Sequence, residues 1–154
     1  MKIKILTAIL IVLFLFCLTS CNIRYPELGK DAIAFQAGSF VDENDDSAGY
    51  LTIEYNGRTY IPYGTLKGTL TAKDLDKCIG YIVRDENSSF VVNKDDTDTR
   101  IYTLTDDPDN NFLMEYYIGT TLMNQPSFFR ALDTKGKDII IPEIVDSLGY
   151  HFWE

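Results

Sequence analysis

The chain has 154 residues and is acidic, with 14 lysine and arginine residues against 23 aspartate and glutamate residues and a formal net charge of −9. The phosphate backbone of nucleic acids repels such a chain, so the composition argues against nucleic acid as a partner. Apolar residues make up 45% of the chain and aromatic residues 13%, which is enough to build the core of one folded domain.

The first 20 residues have the pattern of a cleaved export signal. Lys2 and Lys4 give a short basic start, and residues 5–18 form an apolar stretch that only Thr7 interrupts. This stretch has about 14 residues, fewer than the roughly 20 that a membrane-spanning helix needs, so a cleaved segment is favoured over a retained helix. We therefore assign residues 1–20 to a signal peptide.

The end of this leader, Leu18-Thr19-Ser20-Cys21, resembles the lipobox of bacterial lipoproteins. The resemblance covers the leader alone. It implies that the Cys21 sulfur receives a diacylglyceryl group, that the peptidase cuts before Cys21, and that acyl chains such as palmitate anchor the protein at the extracytoplasmic face of a bacterial cell membrane. Two or three acyl chains, at about 0.8 kcal/mol per buried CH₂, hold a protein stably. The alternative is an ordinary secretory signal in which Cys21 is a structural thiol.

Cleavage before Cys21 changes the composition of the remaining chain. The mature chain has 134 residues, and the loss of Lys2 and Lys4 leaves 12 basic against 23 acidic residues, a net charge of −11. We assign residues 21–30 to a tether and residues 31–154 to a single domain. An anionic bilayer repels such a domain, so the lipid is expected to provide the attachment.

The first part of the domain contains the clearest strand signal of the chain. A first strand is predicted at residues 33–36, and the acidic run 42–47 is predicted to be an exposed loop. Residues 50–55 and 58–63 are rich in β-forming residues, and Asn56-Gly57 between them is typical of a type I′ hairpin turn. This two-residue loop predicts the pairs Tyr55–Arg58, Glu54–Thr59, Ile53–Tyr60, Thr52–Ile61, Leu51–Pro62 and Tyr50–Tyr63.

The rest of the chain alternates short strand patterns with turn signals. Short helices are predicted at residues 71–77, which begin with a capping pattern, and at residues 142–149, which begin with proline and end with glycine. The pattern indicates a mainly β fold, a single antiparallel-sheet domain that is either a sandwich or a small barrel, with one or two short helices. Further strands are predicted at residues 79–84, 90–93, 100–105, 112–118 and 127–132.

Few residues of the mature chain suggest a catalytic or metal site. Cys78 borders an apolar run, so an inert buried thiol is favoured over a reactive one. His151, the only histidine, lies near the end of the sequence between two aromatic residues, which argues against a histidine-based triad or a multi-histidine metal site. The acidic loops lack the spacing of an EF-hand, so no metal and no cofactor is predicted.

Two functional hypotheses follow. Glu115 lies within an aromatic strand pattern, and the period of two places it on the strand face shared by Leu113 and Tyr117. A carboxyl group there could act as an acid, so an envelope hydrolase using carboxylates is the alternative hypothesis. The favoured hypothesis is a non-enzymatic binding or interaction module of the cell envelope. Both faces of the predicted hairpin carry tyrosines, and the outward face is expected to bind an envelope protein or a glycan. The candidate residues of this surface are Tyr50, Tyr60 and Tyr63.

Overall fold

The computed structural model describes residues 25–36, 38–42, 45–66, 68, 70–83, 99–117 and 125–148. Helical structure in these ranges is limited to two single 3₁₀ turns, Ala72–Asp74 and Leu132–Thr134, and a short α-helix, α1 (Glu143–Asp146). No helix in these ranges is long and apolar enough to cross a membrane. The strands are β1 (Leu28–Gln36), β2 (Gly38–Asp42), β3 (Asp45–Tyr55), β4 (Arg58–Thr65), β5 (Leu75–Val83), β6 (Thr99–Leu104), β7 (Phe112–Tyr117) and β8 (Ser127–Ala131).

The strands form one curled, mixed sheet that has the shape of a half-barrel. Seven of the described strands follow the order β1-β5-β6-β7-β8-β4-β3, and β2 pairs with the outer side of β3. This confirms the predicted mainly β fold with few helical residues. The curled sheet is closer to the barrel than to the sandwich alternative.

One strand pair departs from the predicted antiparallel pattern, because β1 runs parallel to β5. Leu28 lies opposite Cys78 and Ile33 lies opposite Gly80, so β1 carries four residues where β5 carries one and bulges between these pairs. At Gly80, an added Cβ would meet the carbonyl oxygen of Ile33 and would come within 2.6 Å of the Phe35 ring. The close approach of β1 to β5 therefore requires glycine at this position.

The predicted hairpin is formed by β3 and β4. Asn56 and Gly57 both have positive φ, 51° and 73°, as a type I′ turn requires. The register Tyr55–Arg58, Glu54–Thr59 and Ile53–Tyr60 is confirmed. The described ladder between β3 and β4 ends there, and the three outer predicted pairs, which include Leu51–Pro62, lie beyond it. Pro62 has no N–H to donate, which fits the end of the ladder two residues before it.

Two apolar clusters cover the two faces of the sheet. The inner core lies on the concave face, because Phe35 of β1 and Tyr55 of β3 meet there with their ring centroids 6.2 Å apart. The outer core lies on the opposite face, beneath residues 139–148 and the segment around Tyr25. The inner core contains Phe35, Ile53, Tyr60, Ile82, Ile101, Leu113, Phe129 and Ala131, and the outer core contains Tyr63, Leu66, Leu70, Leu75, Cys78, Tyr102, Leu104, Phe112, Met114, Phe128 and Val145.

Several local expectations are corrected by this arrangement. The acidic run 42–47 is not a loop throughout, because Asp42 ends β2 and Asp45 begins β3. The helix predicted at residues 71–77 is a single 3₁₀ turn, after which the chain enters β5. The first strand is longer than the predicted residues 33–36, because β1 begins at Leu28. The strand predicted at residues 90–93 lies outside the described residues.

Candidate functional site

Tyr60, one of the three tyrosines of the predicted binding surface, is part of the inner core. Its side chain is 0% exposed, and its hydroxyl donates a hydrogen bond to the Asn110 carbonyl oxygen at 2.6 Å. Burial raises the pKa of Tyr60 to about 12. The prediction that Tyr60 contributes to an exposed surface is therefore wrong, because the concave face of the curled sheet is filled.

Tyr63, the second of these tyrosines, is part of the outer core. It is 2% exposed, its ring lies edge-on to Phe112 with centroids 5.4 Å apart, and the Arg130 guanidinium lies 5.5 Å from its ring centroid. Tyr63 is thus also buried, and the prediction that one face of the hairpin is exposed is wrong at both positions. The structure describes the backbone of Tyr50, which belongs to β3, but not its side chain. Cys21 and His151 lie outside the described residues.

Glu115, the candidate acid of the alternative hypothesis, is half-buried in β7. It lies opposite Ile101 of β6 and Ser127 of β8, on the face of the sheet that carries the inner core. The alternation of side chains along a strand predicted that Glu115 shares this face with Leu113. This prediction is confirmed, because Leu113 belongs to the inner core. Glu115 therefore lies among side chains that fill the concave side of the half-barrel.

The thiol of Cys78 is buried in the outer core, which confirms the interpretation of a buried cysteine. Burial raises the pKa of this thiol, so the thiolate is disfavoured. The Tyr102 hydroxyl lies beside the thiol and has no well-aligned hydrogen bond to any described atom. The surroundings of Cys78 stabilise the neutral thiol.

The densest polar network of the described residues joins the hairpin to two other loops through Arg58. Its guanidinium donates to Asp133 Oδ1 at 2.8 and 3.1 Å and to the carbonyl oxygens of Asp109 and Asn110 at 2.9 and 3.1 Å. A further hydrogen bond reaches Asn111 Oδ1 at 3.1 Å. The hydrogen bond from Arg58 lowers the pKa of Asp133. The donors of Arg58 are used within the domain, so we interpret this network as a structural clamp.

One cavity of the described residues, the helix groove, lies between the first 3₁₀ turn, the end of β6 and α1. It has a volume of about 460 Å³. Leu66, Leu104 and Ile144 provide its apolar part. Its lining residues are Leu66, Gly68, Thr71, Lys73, Asp74, Leu104, Asp106, Pro142, Glu143, Ile144 and Ser147.

The charged residues at the helix groove are predominantly acidic. Asp74 Oδ2 accepts hydrogen bonds from the Thr71 N–H at 2.8 Å and from the Thr71 hydroxyl at 2.6 Å, so this carboxylate holds its own turn. Asp106, Glu143 and Lys73 are exposed. The groove can therefore accommodate a ligand that combines an apolar body with polar or cationic groups.

A second cavity, the edge groove, has a volume of about 370 Å³ and lies where β1 bulges away from β5. The walls of each groove come from three chain segments that are far apart in sequence. No local sequence pattern could therefore indicate the helix groove or the edge groove. The edge groove is lined by Pro26, Glu27, Gly29, Lys30, Asp31, Ala32, Ile33, Tyr55, Asp76, Lys77, Cys78 and Ile79.

The described part of the chain contains no group of three or more histidine, cysteine or acidic side chains placed to hold a metal ion. Comparison of the chain with protein-family models, with curated proteins and with solved structures found no match.

Proposed function

We propose that this chain is a bacterial lipoprotein. Acylated Cys21 holds its β domain at the extracytoplasmic face of the cell membrane, where the domain acts as a non-enzymatic binding module of the envelope. The observation that carries the proposal is the string Leu18-Thr19-Ser20-Cys21, which follows a basic and apolar leader. The short spacing between Cys21 and the domain also supports an anchor at the membrane. Tyr25, only four residues after Cys21, already packs against the domain.

The helix groove is the binding site that we propose for this module. Its apolar part allows a ligand to bury surface, and the exposed charges of Asp106, Glu143 and Lys73 provide polar contacts at the rim. The expected partner is an envelope protein or a glycan. The tyrosine surface inferred from the sequence is replaced in this proposal, because Tyr60 and Tyr63 are buried.

Anchoring is tested by fatty-acid labelling and membrane fractionation of cells that express single-cysteine variants. Cys21→Ser should abolish labelling and leave the leader uncut, because serine cannot form the thioether. Cys17→Ser is the matched control, since Cys17 lies inside the leader and should leave labelling and cleavage unchanged. If Cys21→Ser protein is still labelled and processed, or the unsubstituted protein takes up no label, the lipoprotein assignment is wrong.

Binding at the helix groove is tested by cross-linking the intact lipoprotein in its own membranes and identifying the partner. Glu143→Lys reverses an exposed acidic charge of the groove and should reduce recovery of that partner, because the groove is predominantly acidic. Glu54→Lys makes the same charge change at an exposed position outside the groove and should not. Equal recovery with both variants, each folded as judged by circular dichroism, would contradict the groove as the binding site.

A further inference from the structure

The length of chain between the proposed lipid anchor and the domain limits how far the domain can stand from the membrane. Only residues 22–24 separate Cys21 from Tyr25. Four fully extended residue steps span at most about 14 Å. The polar headgroup region of one leaflet is itself roughly 5–8 Å thick, given a hydrocarbon core of about 30 Å in a bilayer of about 40–45 Å. The surface next to Tyr25 is therefore confined to the immediate neighbourhood of the headgroups.

Tyr25 is fixed to the domain and does not extend the tether. Its ring centroid lies 5.2 Å from that of Tyr116 in β7, and burial together with the hydrogen bond to Tyr116 raises the pKa of Tyr25 to about 12. Three residues later, Leu28 packs on the outer core and pairs with Cys78. Residues 25–28 thus lie across the outer core, and the edge groove begins directly after Tyr25, at Pro26.

The edge groove presents two exposed lysines among its charged residues. Lys30 and Lys77 line it together with Glu27, Asp31 and Asp76, so the groove carries a net charge of −1 out of the −11 of the mature chain. Exposed ammonium groups are able to contact the phosphate groups of lipid headgroups.

The edge groove also offers apolar surface. Ile33 is 41% exposed and is one of two large exposed apolar residues among those described. Tyr55 and Ile79, which also line the groove, are half-buried. Tyrosine and exposed aliphatic side chains are suited to the boundary between headgroups and acyl chains, because they combine apolar contact with access to water.

From the short tether, the fixed Tyr25 and the exposed lysines and apolar surface of the edge groove, we propose that this groove faces the bilayer and that its rim, with Lys30, Lys77 and Ile33, contacts the lipid headgroups. The helix groove then stays open to a partner in the envelope. This inference rests on the proposed anchoring of Cys21 and goes beyond it, because a longer tether would allow the same anchor without a fixed orientation.

The test uses the acylated full-length protein in vesicles of mixed anionic and zwitterionic phospholipid that carry a nitroxide on the headgroup. A thiol-reactive fluorophore is attached in Glu27→Cys or in Glu54→Cys protein. Both residues are exposed glutamates, so the two variants lose the same charge. Glu54 is next to Tyr55 on β3, and alternate residues of a strand point to opposite faces, so the Glu54 side chain points away from the edge groove that Tyr55 lines. Buried Cys78 gives the labelling background in unsubstituted protein.

We expect quenching at residue 27 to exceed quenching at residue 54 several-fold. Insertion of a long glycine-serine linker between Ile23 and Arg24 should bring the two values together, while the protein stays bound to the vesicles. Vesicle-bound protein with equal quenching at both positions, or with stronger quenching at residue 54, would overturn the orientation and leave the anchor intact. Failure of the acylated protein to bind vesicles would overturn both the anchor and the orientation.

Discussion

The side of Gly80 that faces β1 has no room for a side chain, so Gly80→Ala tests the parallel pairing of β1 with β5. An added Cβ would meet the backbone carbonyl oxygen of Ile33 and approach the Phe35 ring to 2.6 Å. A ring can rotate away, but a carbonyl oxygen within a strand moves only if the strand moves. We therefore expect the substitution to push β1 away from the sheet.

The magnitude follows from two contributions. Overpacking of a well-packed site costs about 1–3 kcal/mol. Phe35, which is 2% exposed in the inner core, would lose part of a burial that contributes about 2–3 kcal/mol. Because β1 relaxes part of the clash by moving, the two contributions do not add fully, and we expect Gly80→Ala to reduce the free energy of unfolding by about 2–4 kcal/mol. For a domain of this size the melting temperature should fall by roughly 10 °C.

The measurement is urea denaturation of the mature chain without its acyl groups, followed by circular dichroism. Gly29→Ala is the matched control, because the same methyl group added at Gly29 meets no atom within 4 Å. It should change the unfolding free energy by less than about 0.5 kcal/mol. If Gly80→Ala unfolds at the same urea concentration as Gly29→Ala, the close approach of β1 to β5 is refuted.

Three further substitutions test local features of the fold. Gly57→Val should cost about 1–3 kcal/mol from backbone strain alone, because φ is +73° and an added Cβ meets no atom, and an unchanged melting temperature would contradict the assigned turn. Arg58→Ala should reduce the free energy of unfolding by about 1.5–3 kcal/mol, since five hydrogen bonds are lost from a side chain that is 23% exposed. Lys137→Ala is the control and should change this free energy by less than about 0.5 kcal/mol. Equal unfolding free energies of the two variants would contradict the clamp. Burial raises the pKa of Asp107, which accepts the Phe112 N–H at 2.6 Å, so the folded state binds its proton more tightly than the unfolded state does. Lowering the pH from 7 through the raised pKa should therefore stabilise the unsubstituted protein relative to Asp107→Asn, and a difference that does not change with pH, or changes in the opposite direction, would contradict this assignment.

Features that depend on neighbouring residues could be predicted from the sequence. The Asn56-Gly57 turn and its first three strand pairs are correct, because a two-residue loop with two positive φ angles fixes the register beside it. The period of two placed Glu115 on the correct face of β7. The apolar run beside Cys78 was sufficient to indicate a buried thiol. The lipid anchor at Cys21 is likewise a prediction from a short local string.

Features that depend on residues distant in sequence were decided by the tertiary structure. Tyr60 and Tyr63 are both buried, because the sheet curls until β1 meets β3 on one side, and because residues 139–148 cover the outer core, which contains Tyr63, on the other side. The exposure of Tyr60 and Tyr63 therefore could not be inferred from alternation along one strand, which distinguishes two faces but does not say what packs on each. The same holds for the two grooves, whose walls come from separate chain segments, and for the parallel approach of β1 to Gly80. Local sequence sets turns and strand faces through backbone geometry, whereas burial depends on which strands the folded chain brings together.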